Sequence, residues 1–167
     1  MIDLSRGLRH LAWADAWMFD RLDELPAEAL LARYAPESWS VARLALHIVG
    51  GAEWYRYCLT GIPETDVYPG DVDLPALRAH VLSQRDYLAG LDALLLEQAA
   101  LPDELLTIEE VDGSFTALRS TILSQACLHG VEHRAQIACA LEVNGYGGFA
   151  LDDVDLWAFE THERGEG

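Results

Sequence analysis

Residues 116–143 read TALRSTILSQACLHGVEHRAQIACALEV, and this stretch decides the fold. It is followed by Asn144-Gly145, which is typical of a helix C-terminus, so we predict one long helix over residues 116–143. A polar band runs along one side of this helix, where a plain bundle would carry leucine. It includes Gln125, His129, Glu132 or His133, and Gln136. Because buried polar groups need partners, the band indicates a site within a helical bundle.

The histidines of this band are spaced for metal binding. His129 and His133 are four residues apart, so both imidazoles can reach one ion from the same helix face. His47 lies at the boundary of an apolar stripe on another predicted helix, where it could supply a third ligand beside an open position. The pair alone also fits a solvated helix face without metal, so its spacing leaves both interpretations open. Gly130 stands where HExxH proteases carry glutamate, which excludes that class.

Apolar residues at helical spacing predict three further long helices. They cover residues 4–24 after the N-cap Asp3, 41–60 after Ser40, and 74 to about 99 after Asp73. Asp15 lies on the apolar stripe of the first helix, where a carboxylate must be hydrogen-bonded, paired or near a metal. The five tryptophans are interpreted as core and cavity-wall residues, one or two of them over the metal. His10, His80 and His162 are predicted to lie on the surface.

Two smaller elements complete the predicted fold. Asp112-Gly113 separates residues 106–111 from 114–116, which predicts a β-hairpin packed on the helices. A short last helix is expected after Asp152 or Asp153, and its inward residues would be Val154, Trp157 and Ala158. The fold class is therefore all-α: a four-helix bundle with a short C-terminal helix and a small β-hairpin before helix four.

Composition limits the classes of function. The chain has 167 residues, which predicts one domain over residues 1–167. Eleven basic and 28 acidic residues give a net charge of −17, which opposes binding to nucleic acid or to an anionic membrane. Residues 1–6 lack the pattern of a secretory signal, and no apolar stretch reaches the length of a membrane span, so we expect a cytoplasmic protein. Cys58, Cys127 and Cys139 are expected to be buried without forming disulfides.

Five segments share a resemblance to one family. They are Trp13-Ala14-Asp15, Ser40-Val41, Leu46-His47-Ile48, Asp112-Gly113 and His129-Gly130-Val131-Glu132-His133-Arg134-Ala135-Gln136-Ile137. Together they resemble the DinB/YfiT-like helical-bundle family over almost the whole chain. The most specific part is H-x-x-x-H-R-x-Q-I combined with the upstream histidine. Two positions depart from the family pattern: Ala135 replaces a usual glycine, and Asp15 replaces a common asparagine.

The resemblance implies a divalent metal, commonly zinc or nickel with iron as a third option, held by His47, His129 and His133. It also implies a homodimer in many members. Members with assigned chemistry include S-transferases that use low-molecular-weight thiols such as bacillithiol or mycothiol, and suspected metal-dependent hydrolases. For this chain, the resemblance favours S-transfer slightly over hydrolysis.

The leading hypothesis is a metal-dependent enzyme that activates water or a thiol for a small-molecule substrate. Asp15 and Glu132 are candidates for a base or for a group that orients a ligand, and Gln136 is a candidate for orienting a ligand. Arginines at the pocket mouth would bind the carboxylates of a thiol cofactor; the candidates are Arg43, Arg56 and Arg134. The alternatives are a non-catalytic metal-binding module in stress response or ligand binding, and a bundle whose histidines meet only one another.

Overall fold

The computed structural model describes residues 3–166. The long helices are α1 (Leu4–Glu24), α2 (Val41–Thr60), α3 (Leu74–Gln98) and α4 (Arg119–Val143), followed by a short α5 (Leu156–Glu163). The hairpin strands are β1 (Leu105–Glu110) and β2 (Gly113–Leu118), and short 3₁₀ helices cover Ala27–Leu31 and Leu151–Val154. The prediction of an all-α bundle with a hairpin before the fourth helix is confirmed. The prediction of one domain over residues 1–167 includes positions 1, 2 and 167, which lie outside the described residues.

The predicted N-caps start three of the helices. The carboxylate of Asp3 accepts a hydrogen bond from Arg6 N at 2.7 Å, and that of Asp73 accepts one from Ala76 N at 2.9 Å. The Ser40 hydroxyl accepts one from Arg43 N at 3.3 Å. Each bond satisfies a backbone donor of the first turn that has no partner inside the helix. The start of α2 therefore fixes the position of His47, two turns further along.

The later elements differ from the prediction at their ends. Strand β2 continues to Leu118, which pairs with Leu105, so α4 begins at Arg119 rather than at residue 116. Helix α5 begins at Leu156 because Asp155, rather than Asp152 or Asp153, accepts the first backbone hydrogen bonds. The inward orientation of Trp157 is wrong, since this side chain is 81% exposed. In its place Phe159 is buried, and its ring lies 5.4 Å from that of Trp13.

The four long helices pack around the bundle in the order α1, α3, α2, α4. Two apolar clusters fill its interior, one near Met18, Leu44 and Ile137 and the other near Leu8 and Leu123. This order makes α2 and α4 neighbours, which brings the predicted metal ligands together. No helix in the part of the chain that is described, residues 3–166, is both long and apolar enough for a membrane span.

Several predictions of exposure need correction. Cys58 is buried and Cys127 half-buried, but Cys139 is exposed, because it faces outward from α4. His10 and His80 are half-buried rather than on the surface, because each ring nitrogen contacts a backbone carbonyl. His10 Nε2 lies 2.7 Å from the Val154 oxygen. The contact of His10 connects the C-terminal segment to α1. The contact of His80 connects α3 to the loop that precedes it.

Candidate metal centre

Three histidines from two neighbouring helices meet at one point. His47 is on α2, and His129 and His133 are one turn apart on α4. One ring nitrogen of each lies within 4.8 Å of the others, and Nε2 of His47 is 3.2 Å from Nε2 of His129. Two nitrogens bound tetrahedrally to one zinc ion would lie about 3.3 Å apart, as Zn–N bonds of about 2.0–2.1 Å require. The donor set and its spacing therefore fit a divalent transition metal.

Gln136 fixes the orientation of His133. The side-chain carbonyl of Gln136 lies 2.9 Å from His133 Nδ1, so Nδ1 donates the hydrogen bond. A neutral imidazole that carries its proton on Nδ1 keeps the lone pair on Nε2, which is free to bind a metal. Gln136 thus acts on a histidine of the cluster, and its place one turn below the pair follows from the sequence spacing.

The environment keeps two of the histidines neutral. Burial, together with the neighbouring His133 and His47, lowers the pKa of His129 to about 4. Burial and the nearby His133 and Arg43 also lower the pKa of His47. Neutral imidazole is the form that binds metals, so neither ring has to lose a proton near pH 7.

Gly51, which the sequence analysis did not identify, and Trp39 shape the cluster. Gly51 of α2 lies directly against the His129 ring, where an added β-carbon would be 2.8 Å from Nδ1 and closer to Cε1. The helix can approach this ring only because glycine has no side chain. The Trp39 ring packs against His47 at 4.7 Å between centroids, and it also stacks on His133 at 6.3 Å. Trp39 thus becomes the tryptophan predicted over the site, and its half-exposed ring covers one side of it.

A cleft of about 520 Å³ opens beside His47 and His129. Aromatic and acidic side chains dominate its walls, with the remainder from small residues of α2 and the loop after it. The wall residues besides the two histidines are Gly50, Gly51, Trp54, Tyr55, Glu64, Thr65, Asp66, Val67 and Tyr68. Its volume suits a small molecule, and among residues 3–166 the charged residues of its wall are carboxylates.

The arginines predicted for the pocket mouth do not line the cleft. Arg134 is buried and forms an ion pair with Asp15, away from the cleft. Arg56 binds the buried carboxylate of Glu53 at 2.5 Å. The guanidinium of Arg43 stacks on the Tyr68 ring at 3.7 Å, and it is close enough to His47 to lower the pKa of that histidine. None of the three lines the cleft.

The acidic candidates have different surroundings. The sequence left three possibilities for Asp15: hydrogen-bonded, paired, or near a metal. In the structure it is paired, because Arg134 binds its carboxylate. A second carboxylate, Asp92 of α3, is close to this pair and was missed from the sequence. Burial and the neighbouring Asp15 raise the pKa of Asp92 to about 8. Glu132 is exposed on α4 and is not a wall residue of the cleft.

A buried glutamate anchors the loop that forms one wall. Glu53 has no exposed surface, and it accepts hydrogen bonds from Thr65 N at 2.7 Å, from Arg56 and from the Tyr87 hydroxyl. Arg56 also donates to the Pro63 carbonyl at 2.8 Å. These bonds hold the segment from residue 61 to 73, which has no regular secondary structure, against α2 and α3.

These features define a class of protein: a four-helix bundle in which three histidines from the second and fourth helices form a cluster beside a cleft. A model of the DinB family matches residues 1–163. The chain therefore belongs to the DinB family. No curated protein matches it.

Proposed function

We propose that this protein is a metal-dependent enzyme in which His47, His129 and His133 hold one zinc or nickel ion. The proposal is carried by the convergence of the three ring nitrogens beside a cleft large enough for a substrate. Such an ion lowers the pKa of a bound water or thiol and so supplies a nucleophile near neutral pH. The DinB family match and the donor set support this assignment.

The chain's own residues have separate tasks in this proposal. Gln136 holds His133 with its Nε2 lone pair toward the cluster, and Trp39 keeps bulk water from one side. Trp54 and Tyr55 form the apolar walls against which a substrate packs. Glu132 is exposed and does not line the cleft, but its charge acts on His47, and it is the base that we propose for the nucleophile. Asp15 is bound to Arg134 and serves the structure of the bundle.

The charge of the cleft guides the choice of substrate. Glu64 and Asp66 are wall residues, and none of the three predicted arginines lines the cleft beside them, although Arg43 stacks on the wall residue Tyr68. Carboxylates repel an anionic group, so we expect the part of the substrate or thiol that lies against them to be neutral or cationic. This favours hydrolysis, for which a bound ion would activate water, over transfer from a thiol that carries several carboxylates. S-transfer from a neutral or cationic thiol is the second candidate, which the resemblance to thiol-dependent members of the family favours.

The first experiment tests metal binding. Elemental analysis of the purified protein should find about one zinc or nickel per chain, and replacing all three histidines by alanine should abolish it. The matched control is His162→Ala, since this histidine is exposed and lies outside the cluster. Full metal content in the triple variant would overturn the ligand assignment.

The second experiment tests catalysis with the metal-loaded protein. Panels of neutral, cationic and anionic esters and amides should show turnover of the neutral or cationic members without added thiol. Turnover only after a neutral or cationic thiol is added would identify the transferase instead. Bound metal without turnover in either panel would favour the non-catalytic metal-binding module.

We further propose that the protein acts in the cytoplasm as a homodimer on a small molecule rather than on nucleic acid. The net charge of −17 supports the expectation that the protein does not bind nucleic acid, because affinity for phosphates comes from basic contacts. Sedimentation analysis tests the dimer, and a titration with DNA at low salt should show no binding.

A further inference from the structure

A small polar cavity lies in the bundle interior, next to the substrate cleft, with which it shares Tyr55 and His129 as wall residues. Its volume is about 10 Å³, and side chains from all four long helices contribute to its walls. Four of them are polar: Asp15, Tyr55, Asp92 and His129. A site of this size, with polar groups on several sides, has the properties of a site for one buried water molecule.

Asp92 is the group in this cavity that needs a partner. Its residue surface is 3% exposed, and Oδ1 has no hydrogen bond from any protein group within residues 3–166. Arg134, whose charge acts on Asp92, is bound to Asp15. Because leaving a buried acceptor unpaired costs free energy, a donor is expected in the cavity.

His129 has the complementary requirement. If Nε2 binds the metal, Nδ1 carries the proton and needs an acceptor, as Nδ1 of His133 has in Gln136. Within the described chain, the hydrogen-bond contact of the His129 ring is made through Nε2 alone. His129 and Asp92 are on opposite sides of the bundle, on α4 and α3, and both reach the same cavity.

We propose that one buried water links Asp92 to His129 and makes Asp92 a positioning residue of the metal centre. The water accepts a hydrogen bond from His129 Nδ1–H and donates one to Asp92 Oδ1. This holds the proton on Nδ1 and the lone pair on Nε2, in the same way as Gln136 does for His133. The inference rests on the proposed metal binding by His129, but it also predicts a property of the metal-free protein.

The test compares Asp92→Leu and Asp92→Asn in the full chain. Leucine removes the acceptor, whereas asparagine keeps an oxygen that can accept from the water. We expect Asp92→Leu to weaken zinc binding about 10–100-fold in a competition with a chelator, the range for residues that orient metal ligands. Asp92→Asn should restore most of the affinity.

The second readout is the tautomer of His129 in the metal-free protein, measured by two-bond ¹⁵N–¹H correlation spectra. The original chain and Asp92→Asn should show the proton on Nδ1, and Asp92→Leu should show a mixture of the two tautomers. Leu91→Ala is the control for lost stability, because Leu91 is buried on the same helix and does not line the cavity. It should leave both the tautomer and the zinc affinity unchanged.

The outcomes separate the two proposals. If the original chain binds no metal but its His129 tautomer depends on Asp92, the metal proposal fails and the water link remains. If it binds metal and Asp92→Leu changes neither affinity nor tautomer, the water link is wrong. If Asp92→Leu does not fold, the original chain and Asp92→Asn still test the link. Finding the His129 proton on Nε2 rather than on Nδ1 in both proteins would show that the water link is wrong.

Discussion

At the scale of the residue, Gly51 is the most sensitive position of the candidate centre. An alanine β-carbon there would overlap the His129 ring, so Gly51→Ala should displace the ring, reduce metal affinity about tenfold or more and cost about 1–3 kcal/mol of stability. The control is Gly50→Ala, where the β-carbon would make ordinary contacts of 3.5 Å and 3.7 Å with Val67 and Tyr68. Elemental analysis and urea unfolding measure the two effects. Equal metal content in both variants would contradict this role for Gly51.

Asp92 gives the second prediction at this scale, a dependence of stability on pH. Its pKa is raised from 3.8 to about 8 in the folded chain by burial and by Asp15, with Arg134 acting in the opposite direction. The unfolded chain loses the Asp92 proton at a lower pH than the folded chain does. The contribution of Asp92 to the free energy of unfolding is therefore complete below about pH 4. It is lost as the pH rises to about 8, by up to about 1.4 kcal/mol per pH unit.

The variant Asp92→Asn has no such proton. Its stability relative to the original chain should therefore increase from pH 5 to pH 8, as urea unfolding at the two values would measure. The comparison cancels the titration of all groups that both proteins share. A constant difference between the two proteins would show that Asp92 is ionised in the fold.

At the scale of the element, the loop from residue 61 to 73 depends on Glu53. Glu53→Gln removes the charge that binds Arg56, the Tyr87 hydroxyl and Thr65 N, and leaves Arg56 without its buried partner. We expect a loss of about 3–5 kcal/mol, the range for breaking a buried ion pair. Amide exchange at Thr65 should become faster. Glu97→Gln on the exposed face of α3 is the control, and a similar loss there would contradict the anchoring role.

The elements also show how far the sequence could predict this fold. Asp3, Ser40 and Asp73 marked the helix starts because a cap is a local interaction that spacing reveals. The start of α5 was wrong because three nearby aspartates could each serve as a cap, and only packing of Phe159 decides between them. The partners of Glu53 and the unpaired oxygen of Asp92 could not be predicted, since their surroundings come from other helices and from the loop.

At the scale of the whole molecule, the centre exists because α2 and α4 are neighbours in the bundle. The spacing of His129 and His133 follows from one helix, but the approach of His47 needs the packing order of all four. A metal that binds only this folded arrangement stabilises it through mass action. Metal binding should therefore raise the stability of the whole bundle.

This coupling predicts the effect of removing the metal. Free zinc or nickel at about 100 times its Kd should add about 2.7 kcal/mol to the folded state. For a chain of this size that corresponds to a rise in Tm of about 5–10 °C over the chelator-treated protein, as differential scanning calorimetry would measure. The triple histidine variant should show no rise, whereas His162→Ala should respond like the original chain, because its imidazole is outside the cluster. An equal rise in the triple variant would place the metal elsewhere on this acidic surface.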